Sequence, residues 1–115
     1  CLAAEEKTRQ YAPYALNVLV NYGGRSELVR AARMLSGKEV PAESFRSGLY
    51  RPDLPDPDLI IRTGGERRLS GFMPFQSAYS ELYFCDTLFP DFGQAEIDAA
   101  LKDYSARDRR FGKIW

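Results

Sequence analysis

The chain has 115 residues, a length that suits one domain, and its 44% hydrophobic and 28% charged residues are ordinary for a soluble globular protein. Sixteen basic side chains balance sixteen acidic ones, which argues against a general nucleic-acid-binding protein, because such proteins usually carry a basic excess. The sequence shows no signal-peptide pattern and no apolar run near the ~18 residues that a membrane-spanning helix needs.

Histidine is absent, and the two cysteines, Cys1 and Cys85, are too far apart in sequence for a zinc motif or a disulfide framework. We therefore expect a reducing, cytoplasmic setting. Without histidine, the commonest general base and metal ligand, any chemistry has to use carboxylates, arginines, hydroxyls and backbone amides. The chain opens with Cys1 in what resembles the middle of a helix, so we expect that the native chain began earlier.

The first half of the chain predicts a helix, a strand and a second helix. Residues 2–11 have a helical pattern that ends before Pro13. Residues 14–20 form a nearly continuous apolar run, which is typical of a strand covered on both faces. The glycine-rich residues 21–25 predict a turn, and residues 26–35 have apolar side chains at helical spacing.

The second half predicts another strand–loop–helix unit and a final helix. Glycines and prolines interrupt residues 36–57, where at most one short helix fits near 42–49. The predicted elements that follow are a strand at 58–62, a short helix at 72–79, a strand at 81–84 and a helix at 93–108 capped by Asp91. This alternation predicts an α/β fold with a mostly parallel sheet of about three strands flanked by helices.

The residues that follow the predicted strand at 58–62 have the chemistry of an anion-binding loop. In open α/β sheets, ligands bind beyond the carboxyl ends of the strands, where Arg62 is expected. Gly64 and Gly65 allow a sharp turn that brings backbone amides near an anion, and Arg62 and Arg68 offer planar donors suited to phosphate oxygens. Ser70 adds a hydroxyl. The alternative is a loop with ordinary surface arginines, and the residues alone leave both interpretations open.

Glu81 follows soon afterwards, where the chain re-enters the sheet. A carboxylate at this position is suited to Mg²⁺, which prefers one or two carboxylates together with substrate phosphates. The alternative, which the spacing alone favours, is a strand-start glutamate that pairs with a nearby arginine.

These motifs together resemble the C-terminal signatures of the cis-prenyltransferases, the family of undecaprenyl diphosphate synthase. The resemblance runs along nearly the whole chain in the family's order. It is carried by Asn-Tyr-Gly-Gly-Arg at 21–25, Asp-Leu-Ile-Ile-Arg-Thr-Gly-Gly-Glu at 58–66, Arg-Leu-Ser at 68–70, Gln76, Ala-Tyr at 78–79, Glu-Leu-Tyr-Phe at 81–84, Pro-Asp-Phe at 90–92 and Arg-Arg-Phe-Gly at 109–112. Several motifs in order are much more specific than any one of them.

The resemblance implies roles for individual residues. Arg62, Arg68 and Ser70 match the positions that bind the diphosphate of isopentenyl diphosphate, and Glu81 matches the family's magnesium ligand. Arg110 and Gly112 match a terminal Arg-x-Gly motif that reaches toward the partner's site in family dimers. Residues 21–25 match a segment that we expect to shape a turn without touching substrate.

The resemblance also implies an activity for the complete protein. The family condenses isopentenyl diphosphate with an allylic diphosphate in a magnesium-dependent reaction, and we expect a cytoplasmic homodimer with at most peripheral membrane contact, through its lipid product. Residues 1–115 correspond to the C-terminal half of one domain. The aspartate-containing motif of the N-terminal half has no counterpart here, so no catalytic residue is expected in this half, and we expect the chain alone to be inactive.

Two other functional classes stay open at this point. One is a non-catalytic partner subunit of a heteromeric cis-prenyltransferase, although such subunits often lack the arginines of the central loop. The other is a phosphate-binding or interaction module without transferase activity.

Overall fold

The computed structural model describes residues 2–11, 13–37 and 39–108. Its helices are α1 (Leu2–Thr8), α2 (Gly24–Met34), α3 (Ala42–Phe45) and α4 (Gln94–Ser105), and its strands are β1 (Leu59–Arg62) and β2 (Glu81–Phe84). Short 3-10 helices extend α1 over Arg9–Tyr11, follow α3 over Arg46–Gly48 and precede α4 over Phe89–Asp91. The predicted helix at 2–11, the short helix near 42–49 and both long helices are therefore present.

The two strands lie side by side and run parallel. Leu59 is aligned with Glu81 and Arg62 with Phe84, so the strands match over four residues. Helix α4 packs against β2, and α2 packs against the 3-10 helix at Arg46–Gly48. Parallel strands joined through intervening chain and flanked by helices confirm the predicted α/β class.

The predicted strand at residues 14–20 is wrong for the chain as described. These residues belong to no strand, and Tyr14, Leu16 and Val20 are 92%, 90% and 81% exposed. A strand is defined by the hydrogen bonds that it makes with a neighbour, and within the described ranges the only sheet consists of β1 and β2. The apolar sequence therefore has strand character without a strand beside it.

The segment at 72–79 forms consecutive turns and not the predicted helix. Pro74 has no backbone N–H, and Gly71 and Met73 have φ angles of +79° and +45°, which a right-handed helix does not accommodate. Helix α4 is also capped differently from the prediction. The backbone N–H of Gly93 donates to Glu96 Oε2 at 2.9 Å, whereas Asp91 lies in the preceding 3-10 helix.

The start of α2 is docked against the turn that follows Ser70. The backbone N–H of Gly24 donates to the carbonyl oxygen of Gly71 at 3.2 Å. A Cβ atom at Gly24 would lie 2.1 Å from that oxygen and 2.3 Å from Pro74 Cδ. Only glycine permits this approach, because real Cβ atoms do not come so close to other heavy atoms.

The same helix carries a buried carboxylate. Glu27 is 1% exposed and accepts hydrogen bonds from three uncharged donors. Tyr22 Oη and Gln76 Nε2 donate to its Oε2 at 2.6 and 3.2 Å, and the backbone N–H of Tyr50 donates to its Oε1 at 2.9 Å. A charge removed from water needs such partners, so this network holds three separate segments of the chain on α2.

Replacing Gly24 by alanine is expected to destabilise the protein by about 1–3 kcal/mol, because the new methyl group has to displace backbone atoms of the turn. The free energy of unfolding in urea measures the effect. Gly23→Ala is the matched control. Its Cβ would meet Ser26 Oγ at an ordinary 3.5 Å, so the loss is expected to stay below about 1 kcal/mol. Equal losses in the two variants would contradict the docking of α2 through Gly24.

The Tyr22 phenol predicts a pH dependence. Burial, and then its hydrogen bond to Glu27, raise the pKa of Tyr22 above its ordinary value of 10.0. The folded state therefore favours the neutral phenol. Its contribution to stability is complete below the unfolded-state pKa and is lost as pH rises through the folded-state pKa. We expect the free energy of unfolding to fall above pH ~10 more steeply in the wild type than in Tyr22→Phe. Parallel curves for the two proteins would exclude this coupling.

Candidate diphosphate-binding site

The segment that follows β1, residues 63–70, is here called the arginine loop. Gly64 and Gly65 open it with φ angles of +84° and +78°, which glycine adopts without strain. Their backbone N–H groups donate to the carbonyl oxygens of Thr87 at 2.9 Å and Cys85 at 3.0 Å. The prediction that these amides face an anion is therefore wrong. They fasten the loop to the chain that leaves β2.

Arg62, the last residue of β1, holds the far end of the arginine loop. Its Nη1 donates to the main-chain oxygen of Arg68 and, at 2.9 Å, to Ser70 Oγ. The guanidinium has five N–H donors in a rigid plane, so donors on Nε and Nη2 remain after these contacts. The structure thus brings the predicted residues Arg62 and Ser70 into direct contact.

Arg68 has a fixed backbone and an exposed side chain. Its main-chain oxygen is held by Arg62, while its guanidinium forms an ion pair with Glu66 within the same loop. The Arg68 side chain is 63% exposed, and ion pairs at such positions contribute only ~0.2–1 kcal/mol. An incoming phosphate can therefore replace Glu66 as the partner of Arg68 at small cost.

Ser70 lies at a constrained point beside a cavity. Its φ angle of +50° belongs to the left-handed region, which non-glycine residues adopt only where the surroundings enforce it. Ser70 also lines a cavity of about 350 Å³. The other lining residues are Leu19, Asn21, Tyr22, Gly71 and Phe72. The hydroxyl is thus held at the rim of a space with both polar and apolar walls.

Glu81 is not brought to the arginine loop. It begins β2 beside Leu59, whereas Arg62 ends β1 beside Phe84. Arg62 lies three residues further along the paired strands than Glu81. At ~3.3 Å per residue, the two are separated by about 10 Å in the strand direction. The Glu81 carboxylate instead accepts a hydrogen bond from Arg107 Nη1 at 2.7 Å, and Arg107 Nη2 donates to the carbonyl oxygen of Leu82 at 3.0 Å.

The surroundings of Glu81 do not form a magnesium site as they stand. A carboxylate is the right kind of ligand, but one of its oxygens is held by Arg107, whose pKa is raised by its hydrogen bonds to Glu81 and Asp103. In residues 2–11, 13–37 and 39–108, no three His, Cys, Asp or Glu side chains are grouped to hold a metal ion. A metal that uses both carboxylate oxygens of Glu81 would have to displace the arginine.

Two further predicted residues, Arg110 and Gly112, lie outside the described residues. Sequence analysis did not single out Glu27 or Arg107. A signal for Glu27 was present in the spacing of α2, because it shares one face with Gly24 and Ala31, which are both buried. Within the described ranges, none of the helices has the length and apolar character to cross a membrane.

Comparison with known proteins identifies the family. The undecaprenyl diphosphate synthase family model (Prenyltransf) matches residues 1–112. The chain is 50% identical to an isoprenyl transferase from Thermotoga maritima, over 96% of this chain and 50% of that protein. It is 48% identical to a short-chain Z-isoprenyl diphosphate synthase from Mycobacterium leprae, over 96% of this chain and 47% of that protein. The chain therefore spans about half the length of the curated relatives it matches.

Solved structures agree in fold. The crystal structure of a probable undecaprenyl diphosphate synthase from Campylobacter jejuni superposes with a TM-score of 0.82 and 36% identity, over 97% of this chain and 54% of that one. Lavandulyl diphosphate synthase from Lavandula x intermedia, solved in complex with dimethylallyl diphosphate, gives a TM-score of 0.76 and 38% identity, over 82% of this chain and 44% of that one. From the family match, the identities and the shared α/β fold, the chain belongs to the undecaprenyl diphosphate synthase family of cis-prenyltransferases.

Proposed function

We propose that this chain supplies the isopentenyl diphosphate-binding half of a cis-prenyltransferase. The observation that carries the proposal is the direct contact between Arg62 and Ser70 at the carboxyl end of β1, with the Arg68 side chain exposed beside it. Sheet ends of this kind are where α/β proteins bind ligands. One relative named above is a Z-isoprenyl diphosphate synthase, and the lavandulyl diphosphate synthase structure was solved in complex with dimethylallyl diphosphate, so compounds that carry a diphosphate are associated with both.

The arginine loop provides three kinds of donor for a diphosphate. Arg68 offers an exposed guanidinium whose ion pair, within the part of the chain that the structure describes, is with Glu66 of the same loop. Arg62 offers its remaining N–H groups, and Ser70 a hydroxyl that is already held by Arg62. Because Arg62 and Ser70 hold each other before the ligand arrives, less entropy is lost on binding to them than to free surface side chains.

In the proposed reaction, the C–O bond of an allylic diphosphate breaks and the double bond of isopentenyl diphosphate forms the new C–C bond. Diphosphate leaves when the C–O bond breaks, and a proton is lost from the isopentenyl-derived unit after the C–C bond has formed. The part of this chemistry that the present residues serve is to bind and orient isopentenyl diphosphate, so that its double bond is held near the allylic carbon. The aspartate that the family uses for the allylic diphosphate is expected outside these 115 residues.

The wider assignment consists of further proposals. Residues 1–115 would form the C-terminal half of a single domain that works as a cytoplasmic homodimer, with Arg110 and Gly112 near the partner's site. Glu81 is the proposed Mg²⁺ ligand, on the condition that it exchanges Arg107 for the metal. The presence of Arg62, Arg68, Ser70 and Glu81 together favours this assignment over a non-catalytic partner subunit.

Replacement of Arg68 by alanine tests the diphosphate-binding role. The intact protein is expected to lose roughly tenfold to a hundredfold in affinity for isopentenyl diphosphate, because each charge-assisted hydrogen bond contributes ~1.5–3 kcal/mol. Isothermal titration calorimetry measures the dissociation constant. Arg67→Ala, which removes the same charge from the neighbouring exposed position, is the matched control and is expected to change affinity by less than about threefold. Equal affinity in wild type and Arg68→Ala would refute the assignment of this loop.

The Glu81–Arg107 ion pair gives a separate test of the metal proposal. If Mg²⁺ has to displace Arg107, Arg107→Ala should bind Mg²⁺ more tightly than the wild type in the presence of isopentenyl diphosphate, and Glu81→Gln more weakly. Isothermal titration calorimetry with Mg²⁺ measures the affinity of each variant. Arg51→Ala, which breaks an exposed ion pair with Asp53 elsewhere, is the control. A Glu81→Gln variant with unchanged magnesium affinity would remove Glu81 from the metal site.

A further inference from the structure

The buried carboxylate of Glu27 gathers three segments that are distant in sequence. Tyr22 precedes α2, Tyr50 follows the 3-10 helix at Arg46–Gly48, and Gln76 lies beyond the arginine loop. None of the three donors carries a positive charge, so the carboxylate is stabilised by the geometry of the donors around it. Loss of any one donor would leave part of a buried charge without a partner, which is costly.

The network reaches the arginine loop through the turn that follows it. Gly71, the residue after Ser70, accepts the backbone N–H of Gly24. The ring of Phe72 packs edge-on against Tyr22, with ring centroids 5.9 Å apart. Five residues beyond Gly71, the side chain of Gln76 binds Glu27 itself. The end of the loop that carries Ser70 is therefore fastened to the first turn of α2.

Beyond the anchored Gly64 and Gly65, packing does little to keep the shape of the loop. Its residues 65–68 and Ser70 are exposed, so packing does not immobilise them. Ser70 also has a left-handed backbone conformation, which costs energy and persists only where neighbouring contacts enforce it. Arg62 provides one set of such contacts, and the turn held by Glu27 provides the other.

The charge of Glu27, and not only its size, matters for this arrangement. A carboxylate accepts from all three donors at once, whereas an amide in its place would direct an N–H₂ group at one of them. Gln76 is itself buried, and its Oε1 has no hydrogen-bond partner among the described residues. The amide orientation of Gln76 is thus determined by the carboxylate that its Nε2 meets.

We infer that Glu27 is a positioning residue for isopentenyl diphosphate, acting through Tyr22, Gln76 and the turn after Ser70 on the arginine loop. The inference rests on the proposed function of that loop. Glu27 does not touch the substrate in this role. It sets where Ser70 and the backbone of Arg68 lie when the diphosphate arrives, and misplacement of a binding group by even 1 Å is costly.

The test is Glu27→Gln in the intact protein, with steady-state kinetics and direct binding measured together. We expect KM and Kd for isopentenyl diphosphate to rise about tenfold, while KM for the allylic substrate and kcat at saturation change less than about twofold. Tyr22→Phe, which keeps the carboxylate and removes one donor, should shift the same two constants in the same direction by a smaller factor. If Glu27→Gln does not fold, Tyr22→Phe tests the inference in its place.

Glu96→Gln is the matched control. Glu96 is also a carboxylate that accepts a backbone N–H at 2.9 Å, but it caps α4. We expect this control to lower thermal stability without changing the constants for isopentenyl diphosphate. If Glu27→Gln and Tyr22→Phe behave like the control, the inference is wrong and Glu27 is only structural. If the wild type itself does not bind isopentenyl diphosphate, the proposed function fails, which is a different result.

Discussion

A carboxylate withdrawn from water has to be surrounded by hydrogen-bond donors, and the position of Glu27 imposes this requirement on the fold. Its donors come from residues 22, 50 and 76, so one buried charge links the approach to α2, the chain before β1 and the turn beyond the arginine loop. Gly24 also links α2 to the turn beyond the arginine loop, because its lack of a Cβ lets the carbonyl oxygen of Gly71 approach. Together these contacts place Ser70 relative to β1.

The elements that the sequence predicted correctly are those whose characteristic residues lie within the element itself. The strands at Leu59–Arg62 and Glu81–Phe84 are short apolar runs bounded by glycine or polar residues, and both formed with the parallel pairing expected of alternating strands and helices. The contact between Arg62 and Ser70 was also foreseeable, since both residues belong to the segment that leaves the carboxyl end of a strand. In such cases position along the chain nearly determines position in space.

The features that were not predicted depend on partners far away in sequence. Residues 14–20 have the composition of a strand, but strand formation requires a neighbour that composition does not specify. The amides of Gly64 and Gly65 bond to the chain after β2, and this depends on the register between the strands. The same register puts Glu81 at the opposite end of the strands from Arg62. Pairwise alignment of strands is a tertiary property, so motif spacing alone could not supply it.

The charged groups of the candidate site are already paired with one another. Arg68 is paired with Glu66, and Glu81 with Arg107. The Arg68–Glu66 pair does not exclude a ligand, because an exposed ion pair contributes only ~0.2–1 kcal/mol, whereas each charge-assisted bond to a phosphate contributes ~1.5–3 kcal/mol. The pairs differ in exposure, however. Arg68 is largely exposed, whereas Arg107 and Glu81 are partly buried and Arg107 also holds Leu82. Exchange of partners is therefore expected to be easier at the arginine loop than at Glu81. In the proposed function, diphosphate would accordingly bind the loop before the ion pair beyond α4 is disturbed.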